Sequence, residues 1–449
     1  MTTALTSLPA VAGPVFVPGD EGYEAEKQAW NVATVHEPLA VVGATCAQDV
    51  AETVRWAGTL GLPVAVQSTG HGAVRPVRGG VLITTNRMTE LTIDPVARTA
   101  RAAAGVHCVE VNAAGAPHGL GMLNGSATQV GVVGYTLGGG VGPLGRRFGF
   151  AADHVRSVEI VTADGALRTV DADHEADLFW AVRGGKGNFG IVTAIEFGLV
   201  EVAGFYGGGI YFPMEHAGEV LHAYREWSAG LPEEMSTSVA LLRLPDLPAL
   251  PPPLRGANVA HLRVFFLGEA EAGDALLAPM RAAAPAIIDD VAMLPYPAVD
   301  AVHRDPVDPM PSRERGVLLA ELTAETVEHV LAAAGAGVDV PLPLVEIRQL
   351  GGALGRPAAV PNAVSGRGAA YSLFVIGIGA PGLEAAVDAA TDRVLAVERF
   401  PGGLLNFSGG ADAETIRANW SAADRDRLLR VKHAYDPANV FSSGQPLLG

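Results

Sequence analysis

Residues 63–88, PVAVQSTGHGAVRPVRGGVLITTNRM, set two short apolar runs around a histidine fenced by glycines. The run 63–66 reads as a strand, Gly70-His71-Gly72 as a turn, and Gly79-Gly80 leads into a second strand-like run at 81–85. Glycine on both sides of a reactive side chain lets the backbone take conformations closed to other residues and approach a ligand closely. Successive backbone N–H groups in such a turn can also form a nest for a phosphate. Taken alone, the segment is either a plain structural turn or a cofactor loop.

The flanking sequence alternates short strands and helices. Val50, Val54 and Ala57 share a helical spacing across 45–60, and Gly61 stops it. Residues 91–94 and 100–104 read as a strand pair joined at Pro95, and 107–118 as a helix ending at Gly119. This pattern predicts an α+β unit. A second glycine-dense segment follows at 125–142, GSATQVGVVGYTLGGGVG, and a third at 184–190, GGKGNFG, which runs into the strand pattern 191–197. Two literal GxGxxG matches, 140–145 and 185–190, are rejected as dinucleotide fingerprints. That motif must open a helix within a βαβ unit. The second match opens a strand, and the first is followed by no helical apolar period.

Beyond residue 205 the texture changes. Helices are expected at 216–227, 269–284 and 383–400, and strands at 239–244, 260–266, 344–350 and 371–378. The proline-rich stretch 245–253 reads as a loop. The result is an antiparallel sheet backed by helices. A last amphipathic helix at 424–435 places Leu428, Val431 and Tyr435 on one face and ends at Asp436-Pro437.

Composition narrows the function. The net charge is −17 and no Lys/Arg cluster stands out, which argues against nucleic acid and anionic membrane as partners. No run of about 18 apolar residues and no basic leader occurs, so a cytoplasmic protein is expected. Cys46 and Cys108 cannot make a disulfide framework and read as reduced, buried thiols. Without HExxH or paired ligand spacing, no metal is expected. Without a Gly-x-Ser-x-Gly elbow, a hydrolase is disfavoured.

Together the motifs resemble the berberine-bridge-enzyme-like flavin oxidases of the vanillyl-alcohol-oxidase, or PCMH-type, FAD-binding superfamily. The resemblance spans about 30–204 and 340–445. It is carried by Thr69-Gly70-His71-Gly72, the run VGYTLGGG at 133–140, VTADG at 161–165, DLFWAVRGG at 177–185, GNFGIVT at 187–193, LGGA at 350–353 and YDPANVF at 435–441. It implies an FAD-binding domain of two α+β subdomains at 30–204, a substrate-binding domain at 205–400, and a segment at 401–449 that returns to the FAD domain. The FAD-contacting positions it implies are Gln67, Ser68, Thr69, Gly70, His71, Gly72, Gly131, Gly134, Tyr135, Gly138, Gly139, Gly140, Gly142, Ile191, Val192 and Asn406. In such proteins the histidine at the position of His71 is bonded to the 8α-methyl of FAD. An imidazole nitrogen is a competent nucleophile for that bond.

This sequence departs from the family pattern in places. The cysteine that makes a second flavin link in many members is replaced by Ala127, so a single covalent link through His71 is expected. The tyrosine that often serves as base is replaced by Phe407, a core residue or a pocket-shaping one. Lys186 stands where glycine is usual, as a solvated loop lysine or as a cation near the flavin. Gly366-Arg367 stands where His-Arg is common.

The resemblance implies hydride transfer from an alcohol, amine or activated C–H of a small molecule, sugar-like or of secondary metabolism, to FAD and then to O₂. A monomer or homodimer is expected. Such transfer calls for a group to accept the proton of the adjacent O–H or N–H. Tyr371, Tyr135 and Glu346 are the candidates, Glu346 and Arg348 sharing one face of a strand. The rival reading is a cyclase or isomerase on the same fold with no net redox.

Overall fold

The computed structural model of the chain describes residues 8–409, 413–443 and 445–448. A small sheet comes first, with Val15–Phe16, Ala40–Gly43, Val81–Thr84 and Val64–Gln67 side by side in that order. The last three strands are parallel. Parallel neighbours need a crossover, which the helix Ala47–Thr59 supplies while burying Val50, Val54 and Ala57. The His71 turn follows directly from Val64–Gln67, at the end of this sheet. A second sheet is antiparallel, ordered Leu91–Asp94, Thr99–Ala103, Ile191–Gly198, Val155–Val161 and Leu167–Asp171. The helix Ala176–Gly185 buries Leu178, Phe179, Trp180 and Val182 in the same core as Leu428 and Val431 of the C-terminal helix Ala422–Tyr435.

The largest sheet has eight strands. Ile288–Asp289, Gly204–Pro213, Asn258–Phe266, Met235–Arg243, Leu344–Gln349, Tyr371–Ile378 and Ser312–Leu319 lie in that order, and Ala292–Pro295 also pairs with Gly204–Pro213. Helices Ala217–Ser228, Ala270–Arg281, Ala324–Ala334 and Glu384–Val394 share one apolar core with it. Side chains alternate along each strand. Tyr371, Leu373 and Val375 enter the helix-side core, while Phe374, Ile376 and Ile378 line a cavity on the other face.

Several expectations need correction. The strands Gly204–Pro213 and Ser312–Leu319 and the helix Ala324–Ala334 were not anticipated. The helix expected over 383–400 stops at Val394, because the chain beyond it is drawn to the sheet edge, where Phe400 N donates to Leu318 O at 2.7 Å. Cys46 is exposed, since it is the residue just before a surface helix; Cys108 is buried, and burial pushes its thiol pKa up.

Buried cations hold the layers together. Arg146 donates from Nε to Met235 O at 2.7 Å, from Nη2 to Leu231 O at 3.1 Å, and from Nη1 to Leu350 O. It thereby ties the glycine-rich N-terminal half to the start of the strand Met235–Arg243 and to the residue after Leu344–Gln349. Lys432, its side chain 1% exposed, donates to Asp436 at 2.6 Å and to the carbonyls of Asn188 and Phe441 at 2.9 and 3.0 Å. Asp436 also accepts from Val440 N and Phe441 N, so every charge is matched. Lys432→Met strands a buried carboxylate and is expected to cost about 3–5 kcal/mol in urea denaturation. A cost below about 1 kcal/mol would mean that the pair contributes nothing beyond packing.

Candidate functional site

A cavity of about 1590 Å³ opens between the His71 turn, the segment around Tyr135 and the free face of the eight-stranded sheet. Small-molecule pockets ordinarily measure about 300–1,000 Å³. This one has room for a large ligand and a second, smaller one beside it.

The His71 turn is held from one side by residues 29–31. Trp30 N donates to Thr69 O at 2.9 Å and Asn31 N to Gly70 O at 3.4 Å. Gly70 has φ +79°, and a Cβ there would lie 2.7 Å from Ala29 Cα, so only glycine fits. The Trp30 indole stacks on the His71 ring, with centroids 4.3 Å apart and planes 14° apart. Thr69 Oγ1 lies 2.8 Å from His71 Nδ1, which leaves Nε2 without a hydrogen bond among the described residues. Burial first, and the nearby His107 second, push the His71 pKa down to about 4. The imidazole is therefore neutral and nucleophilic at pH 7. Gln67 lines the cavity but its amide is engaged, Nε2 donating to Gln28 O at 3.0 Å and Oε1 lying 3.0 Å from His36 Nε2.

Polar atoms of the cavity wall, Ser68 Oγ, Tyr135 OH, His303 Nδ1, Arg315 Nε and Gln445 Oε1, are buried without a hydrogen-bond partner among the described residues. Buried polar groups are rarely left unpaired, so these point to a polar ligand. Gly72, Gly131, Gly134, Ile191, Val192 and Asn406 also line the cavity, as does Ala127.

Gly138, Gly139, Gly140 and Gly142, expected to touch the ligand, are not among the residues lining the cavity. Their missing Cβ atoms make room for protein. A Cβ on Gly138 would sit 2.0 Å from Asn406 Oδ1, and one on Gly142 1.7 Å from Asn124 O. Val364 and Ala151 approach Gly139 and Gly140 in the same way. Gly138 lets the 406 loop close on the helix Val132–Leu137, where Asn406 Nδ2 donates to Tyr135 O at 2.8 Å.

The three candidate proton acceptors separate. Tyr371 points away from the cavity, its hydroxyl 2.8 Å from Ser228 Oγ in the helix-side core. The reason is strand alternation, which puts odd-numbered residues of Tyr371–Ile378 on that face. Glu346 does line the cavity, but its carboxylate is consumed by Arg263 and Ser238, each at 2.7 Å, and by Arg348 at 3.0 Å. Burial alone would raise its pKa; Arg348 and Arg263 outweigh that and hold it below the usual range. Tyr135 faces the cavity, and burial raises its pKa well above 10, so it can donate a hydrogen bond but not act as a base near neutrality.

Two further charged groups share the cavity. Lys186 stands inside it, not in open solvent, in a backbone conformation with φ +53°. Burial pushes its pKa down to about 8, against the opposing pull of Glu314. Glu314 was missed because its strand, SRERGVLL, reads as a charged surface run. It accepts from Ser312 Oγ at 2.9 Å and makes no ion pair among the described residues. Its neighbour Gly316 packs on Phe407 O, so Glu314 stands next to the loop that carries Phe407. Burial is the main cause of its raised pKa, opposed by Ser312 and Lys186 and reinforced by Asp305. Phe407 lines the cavity, edge-on to Phe374 at 5.0 Å and beneath the Arg348 guanidinium at 5.3 Å.

The family model for an FAD binding domain matches residues 38–171. Over 98% of both chains, the sequence is 27% identical to (R)-6-hydroxynicotine oxidase of Paenarthrobacter nicotinovorans. The crystal structure of 6-hydroxy-D-nicotine oxidase from Arthrobacter nicotinovorans superposes with a TM-score of 0.86 over 99% of both chains, at 26% identity. The BBE-like 1 protein of Physcomitrella patens superposes with a TM-score of 0.81 over 98% of both chains, at 20% identity.

Tyr371→Phe removes one buried hydrogen bond and is expected to cost about 1 kcal/mol in urea denaturation. Flavin content and turnover should stay within twofold of the parent. A loss of turnover without a loss of flavin would return Tyr371 to the site.

Proposed function

We propose that this chain, which belongs to the berberine-bridge-enzyme-like, PCMH-type FAD-linked oxidoreductases, is an oxidase of a small organic molecule. It would take two electrons from an alcohol, amine or activated C–H and pass them to O₂. FAD, when bound, supplies the two-electron acceptor. The observation that carries the reading is the neutral His71 imidazole, its Nε2 unengaged, in the wall of a cavity large enough for FAD and a substrate. The residues present fit FAD: the His71 turn offers backbone N–H groups, and Ser68, Tyr135 and Gln445 offer unpaired polar atoms. We read 30–204, with the returning 401–449, as the part that holds FAD, and 205–400 as the part that covers the substrate. The nicotine-oxidising activity named for the relative supports a tailoring or catabolic oxidase. The alternative, a cyclase or isomerase without net redox, draws no support from the relatives.

His71 would hold the flavin covalently and fix its position. Glu314 is the better-placed proton acceptor: it faces the cavity on the substrate sheet, and its carboxylate is not consumed by an arginine. Lys186, Ser312 and Asp305 are the polar and charged groups that bear on it. Phe407 and Phe374 would then shape the apolar side of the pocket.

Acid precipitation of the purified protein tests the first claim. The yellow colour is expected in the pellet, and in the supernatant for His71→Ala. Colour in the supernatant of the parent would remove the covalent role. Oxygen uptake with matching H₂O₂ release marks the oxidase.

A base must be ionised, so activity should fall as the pH drops through the raised pKa of Glu314. The acid limb of the kcat/KM profile is therefore expected above the ordinary carboxylate range. Glu314→Gln should abolish that limb and lower kcat about 10²–10⁴-fold. An unchanged limb in the variant would exclude Glu314.

A further inference from the structure

We infer that the cavity takes a substrate that carries a carboxylate, held by the unbonded guanidinium N–H groups of Arg263 and Arg348. The inference rests on the oxidase reading only in calling the bound molecule a substrate. Arg263, Ser238 and Arg348 stand opposite one another across three neighbouring strands, so their side chains share the cavity face of the sheet. Glu346 lies between the two arginines on that face, 2.7 Å from Arg263 Nη1 and 3.0 Å from Arg348 Nη2. The side chains of Arg263, Arg348 and Glu346 are only 3%, 9% and 2% exposed.

The charges do not cancel. Two guanidiniums share one carboxylate, and among the described residues neither has a second acidic partner. An unbalanced buried charge is costly unless something pairs with it. Arg263 Nη2 and Arg348 Nη1 make no hydrogen bond among the described residues. His303, 8% exposed and lining the same cavity, has an unpartnered buried Nδ1. Burial, then the two arginines, hold its pKa well below the ordinary value, so it adds a polar contact without adding charge.

A second void, of about 20 Å³, also touches Arg263, Arg348 and His303. It is water-sized, and a water cannot neutralise the excess charge. A carboxylate can, and its two oxygens suit the guanidinium fork. The adjoining wall is aromatic, with Phe407 under Arg348 and edge-on to Phe374. That wall favours an aryl or alkyl carboxylate over a bare inorganic anion.

The test titrates the protein as purified with sodium benzoate and with benzamide, its neutral near-isostere, by calorimetry and by the flavin difference spectrum. Benzoate is expected to bind at least about tenfold tighter than benzamide, the factor a charge-assisted contact supplies. Arg348→Gln leaves Arg263 and Glu346 as a neutral pair. It should weaken benzoate at least about tenfold and leave benzamide within twofold. Equal binding of the two probes by the parent, or undiminished benzoate binding by a folded Arg348→Gln, overturns the inference. Should that variant not fold, the comparison on the parent decides alone. A protein that neither carries nor takes up flavin would defeat the oxidase reading. Calorimetry still reads benzoate against benzamide on it, so the two failures are distinguishable.

Discussion

The eight-stranded sheet is enclosed on both faces, and the alternation of its side chains is the constraint on which the site depends. One face must be apolar to bury the helices Ala217–Ser228, Ala270–Arg281, Ala324–Ala334 and Glu384–Val394. The other face packs Phe205 and Phe265 against the N-terminal core at one end but borders the cavity elsewhere, where it is free to be polar. Glu314, Glu346, Arg348, Arg263 and Phe374 all fall on that second face by register. A one-residue slip would exchange them for the apolar set and leave four charges inside the helix-side core. Register and chemistry are thus specified together.

Burying that much polarity requires that hydrogen-bond acceptors be found nearby. Arg146 meets the carbonyls of Met235, Leu231 and Leu350, and Arg183 those of Phe179, Val360 and Pro361, with no carboxylate bonded to either among the described residues. Arg183 thereby ties its own helix to the loop at 360–361, and the same bonds satisfy the arginine. Burial pushes Arg183 down to about 10, which still leaves it charged at neutral pH. Asp153 ties Arg367 at 2.6 Å and Asn362 at 2.7 Å, closing the loop that carries Gly366.

The family-bearing half of the fold was legible because its signals are local. Glycine runs, a period-3.6 stripe over Ala47–Thr59 and the hairpin around Pro95 each announce themselves within a dozen residues. The strands of the large sheet were legible where they are apolar on one face, as in Tyr371–Ile378. Gly204–Pro213 was hidden by its glycines, which make room for Val264 O, Asp290 and His261. Ser312–Leu319 was hidden by its charges, which belong to a cavity no local pattern reveals. The same blindness put Tyr371 in the site and left Glu314 out: which face of a strand meets a cavity is decided by tertiary packing. The glycines at 138–142 carry a related ambiguity, Gly138 making room for Asn406 and Gly142 for Asn124. A glycine needed for close approach looks the same whether the visitor is a ligand or another loop.

The two sides of the cavity divide the work differently. On the side of the His71 turn, the arrangement is geometry held by backbone. Trp30 and the Thr69 and Gly70 carbonyl contacts fix the ring of His71, and burial keeps it neutral without any acidic partner. On the sheet side, reactivity depends on charge held in imbalance. Glu314 makes no ion pair among the described residues, and Arg263 and Arg348 outnumber Glu346. Unpaired charges in a low-dielectric wall interact strongly with whatever enters. Phe407 sharpens this: with no hydroxyl at that position, the polar chemistry on this wall falls to residues of the sheet itself. Lys186 links the two walls: its Nζ lies 3.6 Å from where a Cβ on Gly72 would sit, on the His71 side, and it bears on Glu314 across the cavity.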